Sequence, residues 1–130
     1  MFEPGLVAYL VAGSTLAGNR IEPPPVPQSP TLPMITYYRV PLGEGGREYS
    51  HSGSSNLVHP RYQIDCWASN PDDAWTLGDQ VVALLSGAKG AMGTKTAQAA
   101  FINNEGDMYE PETGYYRRMI EVEIWHAEAA

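Results

Sequence analysis

The sequence has a single cysteine, Cys66. No disulfide can form within the chain, and zinc sites built on cysteine pairs are excluded. One thiol fits assembly in a reducing cytoplasm. Basic residues are scarce: eight Lys and Arg stand against fifteen Asp and Glu, a formal net charge of −7. A dedicated DNA or RNA binder carries a basic face, and attraction to anionic lipid needs one too, so both classes are disfavoured. Long apolar runs are also missing. Residues 6–12 are apolar, but they follow Glu3 and Pro4 rather than a basic flank. They are too short to span a bilayer. The expectation is a soluble, unsecreted chain.

Catalytic signatures are equally sparse. Gly43, Gly45 and Gly46 form Gly-x-Gly-Gly with no helix pattern after them, and Gly87, Gly90 and Gly93 lack a correctly placed Lys-Ser/Thr. No phosphate cradle is therefore expected. His51, His59 and His126 do not pair with another His or Glu at the spacing of a helix-borne metal site. His51 and His59 read as solvated loop residues, and His126 as an exposed strand end. Asp65 has no partner carboxylate, because Asp72 and Asp73 are accounted for by helix capping. Cys66 reads as a small buried hydrophobe on a strand. No enzyme is expected, and no cofactor or metal.

What is present is enough for one packed domain over residues 1–130. The chain is 43% hydrophobic and 18% charged, with eight Tyr, three Trp and two Phe. Residues 3–12 predict a short helix, with Pro4 in its first turn and Leu6, Val7, Leu10 and Val11 on one face. Residues 22–33 hold six of the eleven prolines; they predict an extended connector crossing the domain surface. Residues 34–40 and 61–68 predict strands. In the second, Tyr62, Ile64 and Cys66 point one way, Gln63, Asp65 and Trp67 the other. Residues 41–60, rich in Gly and Ser, predict a long hairpin loop. Residues 70–87 predict the main helix, with Asn70 as cap and Pro71 at its first position. Its stripe is Ala74, Leu77, Gly78, Val81, Leu84 and Leu85. Residues 88–96 predict a loose connection, 98–105 a strand, 110–114 a turn and 115–126 the last strand. Tyr116, Ile120, Val122 and Ile124 should face the core, and Arg117, Glu121, Glu123 and Trp125 the other side. The fold class is α+β: an antiparallel sheet of about four strands packed against two helices.

Trp67 and Trp125 thus lie opposite the predicted core, where Trp and Tyr favour subunit interfaces. The candidate interface residues are Tyr49, His51, Asn56, Asp65, Trp67 and Trp125.

Three groups of residues carry a family resemblance. The first is Arg20-Ile21, Pro27-Gln28 and Leu32-Pro33 leading into Ile35-Thr36-Tyr37. The second is Tyr62-Gln63-Ile64-Asp65-Cys66-Trp67-Ala68. The third is residues 109–117, Tyr-Glu-Pro-Glu-Thr-Gly-Tyr-Tyr-Arg, with the closing Ile124-Trp125-His126. In these the chain resembles the tail-completion, or tail terminator, proteins of long-tailed phages. The resemblance implies a structural virion protein assembled in the host cytoplasm. It implies a ring, usually of six copies, at the head-proximal end of the tail. Such a ring ends the tail tube, meets the head connector and lets DNA pass without specific binding. Two other readings remain open: another neck or minor tail protein, and a cytoplasmic adaptor that offers its Pro-rich segment to a partner.

Overall fold

The computed structural model describes residues 3–41, 47–50, 53–92 and 95–127; for 47–50, 53–56 and 95 it describes the backbone. The elements in order are α1 (Glu3–Ala12), β1 (Ile21–Glu22), β2 (Met34–Val40), β3 (Arg47–Ser50), β4 (Gly53–Val58), β5 (Arg61–Ala68), α2 (Pro71–Leu85), β6 (Gly90–Met92), β7 (Lys95–Glu110) and β8 (Tyr115–Ala127). The architecture is α+β, but the sheet is larger than the four strands expected and not purely antiparallel. It has eight strands, and β1 runs parallel to β2.

β8 is the centre of the sheet. On one side it pairs with β5 from Arg61↔Glu123 to Ala68↔Tyr116, and on the other with β7 from Ala97↔His126 to Glu110↔Tyr115. β4 prolongs β5 along the same side of β8, through Val58↔His126 and Leu57↔Ala127. Pro60 stands between the two strands, and its carbonyl still accepts the Ile124 N–H at 3.0 Å. A proline here removes no ladder donor that the pairing needs.

Two sequence expectations need correction. The stretch 41–60 is not a single loop. It contains β3 and β4, which pair with each other from Arg47↔Val58 to Ser50↔Gly53. Gly, Ser and Asn have low strand propensity; here they pair within the hairpin, which Leu57 and Val58 anchor to β8. Residues 88–96 likewise contain β6, which pairs with the start of β7. β7 itself runs well past residue 105. Register shifts at Ala97/Ala99 and Ile102/Asn104 let a strand containing Gly106 stay paired along β8.

Both helices pack on one face of the sheet. Asn70 caps α2 by accepting the Asp73 N–H at 2.9 Å, and Gly87, at φ +71°, ends it and ties its N–H to the Ala100 carbonyl at 3.0 Å. Ala74, Leu77, Gly78, Val81 and Leu85 are buried beneath it. In α1 the buried residues are Gly5, Leu6 and Leu10, whereas Val11, expected on the same face, is 39% exposed. The helix is anchored by polar ends. Tyr62 donates its hydroxyl to Glu3 at 2.9 Å, and Tyr9 donates to the Leu84 carbonyl at 2.8 Å. Under the helices lie Ile35, Tyr62, Ile64, Cys66, Ala100, Ile120, Val122 and Ile124, all fully buried. Alternation in β5 and β8 thus sends one set of side chains inward and leaves a second set on the opposite face.

Candidate functional site

That opposite face is a polar and aromatic surface built on β2, β5, β8 and β7. Two clusters occupy it. At one end are His59, Arg61, Glu121, Glu123 and Trp125. The rings of His59 and Trp125 stack with centroids 4.3 Å apart. Glu123 accepts the Trp125 indole N–H at 2.7 Å and the Arg61 Nε–H at 3.3 Å. Burial alone would raise its carboxyl. The Trp125 and Arg61 hydrogen bonds, with the charge of Arg61 and of a protonated His59, outweigh that and hold it below the usual range. Phe101, across the ladder from Glu123, is 51% exposed.

At the other end are Trp67, Thr36, Asp65, Gln63 and Arg117. Trp67 donates its indole N–H to the Thr36 hydroxyl at 2.9 Å, and the Arg117 guanidinium sits 5.2 Å from the Trp67 ring centroid. Arg117 also lies 3.7 Å from Asp65 and 3.4 Å from Glu110. Gln63 donates to Asp65 at 3.1 Å and accepts the Tyr38 hydroxyl at 2.7 Å. Asp65 is only 3% exposed. Burial pushes its carboxyl above the ordinary range and neighbouring Glu110 adds to this, against the pull of Gln63 and Arg117.

The six candidate residues are therefore not one cluster. Trp67 and Asp65 stand together, and Trp125 belongs to the other group. Tyr49 and Asn56 are on β3 and β4, where the backbone alone is described, and His51 lies outside the described residues. His59, expected to be solvated, is held against Trp125 and Glu123. His126, expected as an exposed strand end, is 8% exposed, because it points to the core side of β8 between β4 and β7. Cys66 is fully buried, and desolvation pushes its thiol far up, as suits an inert core residue. Among the described residues no group of three or more His, Cys, Asp or Glu could hold a metal ion. No helix among them is long and apolar enough to cross a membrane. Sequence reasoning missed the exposed Phe101 and Trp75, the latter 47% exposed on α2. A helical wheel places Trp75 off the apolar stripe and would have found it.

Comparison with known proteins decides the family. The family model described as "Tail completion protein gp17" matches residues 6–127. The chain belongs to the tail-completion family. The match takes in most of α1, all of α2 and every strand among the described residues. A chain in the solved virion of a native gene transfer agent particle has a similar fold, with a TM-score of 0.64 at 12% identity. The alignment covers 94% of this chain and 84% of that one. At such identity the likeness is one of fold. No curated protein matches the chain. Membership makes this tail-completion protein a structural component of a phage tail.

Proposed function

We propose that this tail-completion protein forms a homo-oligomeric ring, of six copies, at the head-proximal end of the tail. There it terminates the tail tube and joins it to the head connector, and DNA passes through the opening. The observation that carries this reading is the extent of the family match, which spans residues 6–127 rather than a single motif.

Three structural features support it. First, the sheet has open edges. β6 covers β7 from Lys95 to Ala97, and beyond that no further strand pairs with its outer edge among the described residues. Open edges pair readily with another chain. Second, the face opposite the helices exposes Phe101 and carries Trp67 and Trp125, a composition suited to subunit contacts. Third, the net charge of −7 would keep passing DNA from adhering if acidic side chains line the opening.

The adaptor reading is weaker. It needs a freely presented Pro-rich segment, whereas Arg20 donates to the Pro33 carbonyl at 2.9 Å and Pro27 borders a cavity with Trp67.

The test is electron microscopy of lysates after deletion of the gene. Filled heads beside unattached tails, some abnormally long, are expected. Normal joined particles would overturn the reading. Reversing acidic residues at the opening should slow DNA ejection, and unchanged ejection would remove the charge from the mechanism.

A further inference from the structure

A cavity of about 380 Å³ opens where the Pro-rich connector passes the β7–β8 turn. Its walls are Pro27 and Gln28 from the connector, Trp67 from β5, and Glu110, Glu112 and Tyr115 around the turn. Distant parts of the sequence thus meet at one void, and they are the segments that carried the family resemblance. The volume falls within the range of about 300–1,000 Å³ common for ligand sites.

The chemistry of these walls favours one kind of guest. The Trp67 N–H is already satisfied by Thr36, at 2.9 Å, so what its ring offers a guest is its π surface. Arg117, 5.2 Å from the centroid, shows that this ring accepts a guanidinium. Asp65 and Glu110 share that single Arg117, at 3.7 and 3.4 Å. Glu112, exposed on the turn, makes no ion pair among the described residues. Two carboxylates line the cavity, Glu110 and Glu112; Arg117 answers the first, and the second leaves the site net negative. Aromatic walls with an acidic rim bind an organic cation, and they repel phosphate and anionic lipid.

We propose that this cavity is the docking site for a basic extended segment of another protein of the particle. An Arg or Lys side chain enters it, lies against Trp67 and Tyr115, and pairs with Glu112. The identity of the partner as a particle protein rests on the function proposed above. The preference for a cation rests on the cavity alone.

The test is a titration of the purified, ¹⁵N-labelled full chain. Its three Trp give three indole N–H signals, and Trp67→Phe and Trp75→Phe assign two of them. The probes are acetyl-Gly-Arg-Gly-amide and its Lys and Glu counterparts. The Arg and Lys peptides should move the Trp67 signal saturably and leave Trp75 in place, and the Glu peptide should not. Glu112→Lys, an exposed turn substitution, should weaken the effect at least about tenfold with an unchanged unfolding midpoint. The proposal is overturned by a still Trp67 signal, by equal shifts with the Glu peptide, or by binding that Glu112→Lys leaves intact. Loss of self-association in Glu112→Lys without any peptide effect also overturns it, in favour of a second copy. Because the titration uses no particles, its failure leaves the gene-deletion result standing, and the reverse holds as well.

Discussion

The imidazole of His59 lies on the indole of Trp125, with an interplanar angle of 20°, and both rings adjoin the carboxylate of Glu123. A residue just before β5 is thereby fixed to β8 at the point where β4 takes over the ladder. Trp125→Phe keeps a stacking ring and removes the N–H donor. The Glu123 carboxyl should then titrate at higher pH than in the parent chain, as read by ¹³C carboxyl NMR. The stability that a lowered carboxyl supplies is present above the unfolded value of about 4.3 and is lost as pH falls through the folded value. The variant should therefore be less stable than the parent at pH 7, with the gap closing in acid. An unmoved Glu123 titration would show that the indole donor is irrelevant.

Asp65 has the opposite sign. Its carboxyl is raised by burial. The associated stability is fully present below the unfolded value of about 3.9 and declines as pH rises through the folded one. Asp65→Asn removes that decline. Urea midpoints of variant and parent should diverge in favour of Asn between pH 4 and pH 7. A constant difference across that range would contradict the burial account.

Gly5 sits in α1, where Ala would ordinarily add about 0.5–1 kcal/mol. A Cβ there would strike the backbone carbonyl of Met92 on β6, which cannot swing aside as a side chain can. The clash should win, so Gly5→Ala should cost about 1–3 kcal/mol in denaturant unfolding. A stabilised variant would mean that α1 and β6 are not in close contact.

Cys66 should be unreactive toward a thiol reagent in the native protein and react with one equivalent in urea. Fast native labelling would place β5 elsewhere than beneath the helices.

The parts of the fold that could be read from sequence are those where one periodicity meets one environment. Tyr62, Ile64 and Cys66 alternate and are all buried, and Asn70-Pro71-Asp72 marks the start of α2 at its observed position. β3, β4 and the far half of β7 were hidden, since Gly53-Ser54-Ser55-Asn56 and Asn104-Glu105-Gly106-Asp107 carry turn-forming residues. β3 and β4 pair mainly with each other, tied to β8 only through Leu57 and Val58, and the far half of β7 owes its strand state to β8. The two aromatic clusters were half visible. Alternation places Trp67 and Trp125 on the outer face. Nothing local says that Trp67 meets Arg117, that His59 covers Trp125, or that Pro27 ends up beside Trp67.

The position of β8 also orders events during synthesis. It is the strand to which β4, β5 and β7 all attach, yet it follows every one of them in the chain. Until residues 115–127 have left the ribosome, β5 and β7 have no strand between them and the apolar sides of both helices lack much of their floor. The sheet can close only late, through contacts of long sequence separation, which makes for slow folding. The nascent chain must therefore stay soluble with its interior open, a role for which its excess of negative charge is well suited.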